Sequence, residues 1–123
     1  MGTEFPELLR SLRLAKSLSQ RELARRVGVH YSYVSKIESG EERPSQDKVR
    51  AIAKALETDP VRLELAAGYF PPEFARMVSE KPEIRRLLEL AVQGRLSEGV
   101  YQELRELLAR EDRVTVPVWL DQG

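Results

Sequence analysis

The sequence predicts an all-α fold, with five short helices over residues 1–68 and a helical hairpin at 82–110. Three observations predict it. Apolar residues recur at helical spacing, as at Leu8, Leu9 and Leu12, or at Ile84, Leu87, Leu88, Ala91 and Val92. Residues that favour helix starts precede these runs, namely Ser19, Ser45, Asp59-Pro60 and Ser97, and glycines close them at Gly28, Gly40, Gly68 and Gly94. Between Ser19 and Gly40 two such units follow one another directly, so two short amphipathic helices meet at a tight turn.

Each element has its own local reason. Phe5-Pro6 opens the first helix, proline being suited to a first turn, and Leu8, Leu9, Leu12 and Ala15 form its apolar stripe. Leu18 closes this helix against the next. Ser19 caps the second helix, and Glu22 three residues on completes a capping box. Leu23, Ala24 and Val27 make its inner face, and Gly28 ends it where a positive φ costs least. The third helix starts at about His30, with Val34 and Ile37 inward; Tyr31, Ser32, Ser35 and Lys36 point outward, with Tyr33 at the flank. Ser45 caps a fourth helix with Val49, Ile52, Ala53 and Leu56 inward. A fifth runs from Asp59-Pro60 to Gly68 with Val61, Leu63, Leu65 and Ala66.

After Gly68 the character changes. Residues 69–81 read as a linker with a short helix from Glu73 to Glu80. Pro82 and Ser97 then open two helices joined by Gly94-Arg95-Leu96, an αα-hairpin. Such a hairpin cannot bury a broad apolar stripe on itself and needs a further surface. Residues 111–123 are a tail in which Arg113 to Leu120 alternates and is rich in β-branched residues, but Pro117 argues against a central strand.

Composition sets aside other classes. There is no cysteine and a single histidine, so neither a disulfide nor a thiolate or zinc site is expected. No nucleophile–base pair, carboxylate dyad or Gly-rich phosphate loop stands out, and no enzymatic activity or cofactor is expected. No stretch reaches the length of a bilayer span, so a soluble, cytoplasmic protein with no membrane partner is expected.

The run L-S-Q-x-E-L-A-x-x-V-G-V at Leu18–Val29, followed by V-S-x-I-E-x-G at Val34–Gly40 and Arg43-Pro44-Ser45, resembles the Cro/C1-type (XRE-like) helix-turn-helix repressors. The likeness covers roughly residues 8 to 68. It implies a five-helix lambda-repressor-like domain that binds double-stranded DNA with its third helix in the major groove. It further implies a structural ion pair between Arg13 and Glu38. Base reading falls to Tyr31, Ser32, Ser35 and Lys36, and backbone contact to Ser19, Gln20, Arg21, His30, Tyr33 and Arg43. His30 stands where relatives carry Ser or Thr, so a weaker cap is expected there. Glu41 and Glu42 replace a more basic loop and would hold it off the phosphates.

Charge distribution agrees with a polyanionic partner. The whole chain has a formal net charge of zero. Between Arg10 and Lys54, however, eleven basic residues (Arg10, Arg13, Lys16, Arg21, Arg25, Arg26, Lys36, Arg43, Lys48, Arg50, Lys54) face five acidic ones (Glu22, Glu38, Glu41, Glu42, Asp47). That leaves +6 on this stretch and −6 elsewhere. Local potential, not the global sum, steers a polyanion.

The G-x-x-S-x-x-x-aromatic run at Gly94–Tyr101 resembles the C-terminal helical hook of Sin-type repressors, where it pairs two protomers. The resemblance implies a homodimer through Ile84, Leu87, Leu88, Ala91, Val100, Tyr101, Leu104 and Leu108. The expected function is therefore a transcriptional repressor on a palindromic operator, open to an antagonist protein that invades the hairpin. A second reading is an antitoxin, which binds DNA with the same fold and holds a toxin through the tail from Arg113.

Overall fold

The computed structural model describes residues 4–115. Among them the chain forms eight α-helices and no strand: α1 (Glu4–Ala15), α2 (Gln20–Val27), α3 (Tyr31–Ser39), α4 (Gln46–Ala55), α5 (Pro60–Ala66), α6 (Phe74–Glu80), α7 (Pro82–Val92) and α8 (Glu98–Thr115). They fall into two compact units, one reaching Pro71 and one starting at Pro72. No described helix is long and apolar enough to cross a membrane.

In the first unit α2 packs chiefly on α3 and α4 on α5, while α1 lies against α3 and α5. Phe5, Leu9, Leu23, Ile37, Val49, Ala53, Leu63 and Ala67 are completely enclosed at the junction. Helical spacing assigned Leu9, Leu23, Ile37, Val49, Ala53 and Leu63 to inner faces but not Phe5 or Ala67, and α1 and α5 differ further. Ala15 is exposed, so the stripe of α1 runs through Phe5, Leu9 and Leu12 instead. In α5 Leu65 faces outward and Glu64 is wholly buried. The carboxylate is tolerated because Glu64 Oε1 accepts from Arg50 Nη1 at 2.6 Å and Oε2 from Gln46 Nε2 at 2.6 Å. A buried charge needs such partners.

The turn from α1 into α2 is a Schellman exit: the Leu18 amide donates to the Arg13 carbonyl and Ser17 to Leu14. Ser17 pays for it with a φ of 57°, the left-handed region that a side chain disfavours. Ser17→Gly is expected to raise the unfolding free energy by about 1 kcal/mol. Urea unfolding with an unchanged slope would check this.

The second unit has a different character. α6 and α7 pack together, but no residue of either is buried. α7 and α8 share no extensive contact, so the hairpin expected from Gly94-Arg95-Leu96 is not a closed one. Ile84, Leu87, Leu88, Ala91, Val100 and Leu104 are half-buried, and Tyr101 and Leu108 are exposed. α8 also continues to Thr115, past the expected end at residue 110, because nothing between Leu108 and Thr115 breaks a helix. The expected tail at 111–123 therefore begins inside α8, and the rest of it and of the toxin-binding segment expected from Arg113, from residue 116 on, lies outside the described residues.

Candidate nucleic-acid interface

The site starts from two capped helix ends. Ser19 Oγ accepts from the Glu22 amide at 3.0 Å, and Glu22 Oε1 accepts from the Ser19 amide at 3.3 Å. These bonds from Ser19 hold the Glu22 carboxyl below its usual pKa. With those two amides used, the amides of Gln20 and Arg21 at the first turn of α2 are left pointing out of the helix end. Gly28, at φ 86°, closes α2, and Val29 returns its amide to the Ala24 carbonyl at 2.9 Å. Only Gly28, Val29 and His30 separate α2 from α3.

His30 caps α3 through its ring, where expectation had a weaker cap. Nδ1 accepts from the Ser32 amide at 3.2 Å and lies 2.8 Å from Ser32 Oγ. The same ring stacks on Tyr31 with centroids 4.8 Å apart, and the Arg21 guanidinium lies 4.1 Å from the Tyr31 centroid. Arg21, Tyr31 and His30 thus form one stack across the α2–α3 turn.

The angle of α3 is held from the other side. Arg13 grips Glu38 in a fork, Nε to Oε2 at 2.6 Å and Nη2 to Oε1 at 3.0 Å, and Nη1 donates to the Leu18 carbonyl at 2.7 Å. Gln20 Nε2 adds a bond to Glu38 Oε1 at 3.2 Å. The Arg and Glu side chains are 9% and 5% exposed, so the group is a nearly buried clasp across α1, α2 and α3. The ion pair stands where the family resemblance put it. Gln20 was assigned to phosphate contact alone; its amide is half engaged in this clasp.

With Val34 and Ile37 buried, α3 turns Tyr31, Lys36 and, half-buried, Ser32 and Ser35 away from the core. Lys36 is exposed and enters no salt bridge among the described residues. Two assigned residues also touch the body of the domain. Tyr33 packs against the core, and burial, then the Glu42 charge, pushes its phenol above the usual range. It borders the face of Val34 and Ile37, at the flank where the sequence placed it. Arg43 folds back on α5, donating from Nε to the Ala67 carbonyl at 3.2 Å and stacking 4.1 Å from the Tyr69 centroid. Its role is to close α5, so the loop after α3 offers no free arginine. One residue was missed: Arg10, exposed, borders a shallow depression with Gln20, Ser35 and Ser39. Its spacing of three from Arg13 on α1 was the available signal.

Comparisons with known proteins fit this geometry. The family model described as "Helix-turn-helix" matches residues 9–63. The control protein C.BamHI of Bacillus amyloliquefaciens is 40% identical over 57 residues, 46% of this chain and 70% of that protein. The chain belongs to the helix-turn-helix family. An HTH-type transcriptional regulator of Mycobacterium tuberculosis is 38% identical over 72 residues, 58% of this chain. This helix-turn-helix chain spans about half, 51%, of that relative's length. Among solved structures, the restriction-modification controller protein C.AhdI of Aeromonas hydrophila is similar at 39% identity, over 50% of this chain and 88% of that one, with a TM-score of 0.48. The matched residues 9–63 contain the helix-turn-helix of α2 and α3 and the whole clasp, and leave out α6 to α8.

Proposed function

We propose that this chain is a cytoplasmic transcription regulator that represses by occupying a palindromic operator as a homodimer. The observation that carries the reading is α3 itself, a helix clamped by its inner face and both ends, with Tyr31, Ser32, Ser35 and Lys36 outward. In this family's docking mode such a helix enters the major groove. Lys36 is the donor for guanine O6 and N7. The Ser32 hydroxyl, which can donate or accept, serves either base type. Tyr31 presents a ring edge for a thymine methyl, with Arg21 and His30 stacked beside it at phosphate height. The free amides of Gln20 and Arg21 take a phosphate at the start of α2, with Arg10 bordering the same depression.

A homodimer puts two copies of α3 on one face of DNA about 34 Å apart, and an occupied promoter excludes polymerase. The test is selection of duplexes from a random pool by the full chain, followed by sedimentation of the complex. Enrichment of a palindrome bound by two chains is expected; recovery of no shared sequence would overturn the reading. Gln20→Ala is expected to weaken operator and random DNA alike, by about 1 kcal/mol. Titration of both duplexes by anisotropy measures it, and a loss confined to operator would move Gln20 to the base-reading set.

A further inference from the structure

The outward face of α8 is closed on itself. Arg105 Nη2 donates to Glu98 Oε1 at 2.8 Å and to Gln102 Oε1 at 3.0 Å, and Gln102 Nε2 donates to Glu106 Oε1 at 3.2 Å. The opposite face is only partly covered: Val100 and Leu104 are half-buried and Leu107 is exposed. Val100, Leu104 and Leu107 fall at spacings of four and three, the seam of a coiled coil. Tyr101 and Leu108 widen one side of that seam, and both are exposed. The other side carries Glu103 and Arg110, seven residues apart, and neither has a salt-bridge partner among the described residues.

We propose that α8 pairs antiparallel with α8 of a second copy, about a two-fold axis between residues 105 and 106. The inference rests on the homodimer reading above and names the surface that makes it. Orientation follows from which sides meet. In an antiparallel pair like sides of the two seams lie together. Leu104 then packs on Leu107 of the second copy, Tyr101 lies beside its Leu108, and Glu103 faces its Arg110, twice over by symmetry. In a parallel pair unlike sides meet, and Glu103 would sit against an apolar Leu108. Charge and apolar surface are each self-complementary only in the antiparallel arrangement. The eighteen-residue helix buries its seam in this way without needing α7 to cover it.

The test uses the full chain in sedimentation velocity at ~0.1 M salt, where exposed charges still interact over about 10 Å. Wild type is expected to dimerise. Glu103→Arg and Arg110→Glu each place two like-charged pairs across the axis and are expected to weaken self-association about tenfold. An equimolar mixture of the two single variants restores both opposite-charge contacts, so it forms a heterodimer of wild-type strength. The double variant Glu103→Arg/Arg110→Glu also dimerises as wild type. Rescue in the mixture shows that the single variants fold. A wild-type chain that stays monomeric overturns the homodimer reading itself. A wild-type dimer with single variants of unchanged strength, or weakened variants that the mixture does not rescue, overturns only the α8 pairing.

Discussion

Replacing Glu38 with alanine lowers the unfolding free energy by about 3 kcal/mol, at the lower end of the range for breaking a buried pair because Arg13 keeps slight contact with water. Arg13 keeps its bond to the Leu18 carbonyl, but two of its fork's donors and the Gln20 amide lose their acceptor together. For a domain of this size the melting temperature falls by roughly 10–20 °C. Below the new transition the protein stays folded, and its operator affinity also falls because α3 is no longer tied to α1. Replacing both partners, Arg13→Met with Glu38→Leu, recovers most of the stability, since apolar groups of similar volume can stand in for a buried ion pair. Calorimetry on the three proteins measures this. A Glu38→Ala protein melting with wild type would mean that the clasp contributes nothing net.

Lys36→Ala leaves the melting temperature where it is and costs about 1–3 kcal/mol of discrimination at one base pair of the operator. The side chain is exposed and touches nothing that holds the fold together, so stability has no reason to move. Random duplexes lose a single counterion-release contact, a smaller and sequence-independent effect. Binding titrations against a set of operators substituted one position at a time locate the lost preference. An unchanged ratio between operator and random DNA would remove Lys36 from the base-reading set.

The residues that were readable in advance, and those that were not, divide along a physical line. Helical spacing located Val34, Ile37, Val49 and Ile52 because an inner face is a local property of three or four turns. Ser19 with Glu22, and Gly28, were readable for the same reason: caps are bonds within a few residues. Arg13 and Glu38 lie 25 residues apart, and only the family pattern joined them. Other long-range partners were not readable from local spacing or from the pattern. Arg43 meets carbonyls 24 and 25 residues downstream, and nothing around it in sequence announces them. The burial of Glu64 had no local signal either, because its partners Gln46 and Arg50 come from another helix. Tyr33 was placed at the flank, and spacing explains why it also packs on the core: positions 33, 34 and 37 share a face. In the second unit the amphipathic stripes were visible, but a stripe states that a face needs covering and not what covers it.

The arrangement of α3 separates two kinds of heritable change. Its inner positions, its glycine exit and its carboxylate are tied into the body of the domain, so few replacements there survive. Its outermost side chain, Lys36, touches nothing that holds the domain together. On the reading proposed above, a replacement there changes the target site while the protein remains folded.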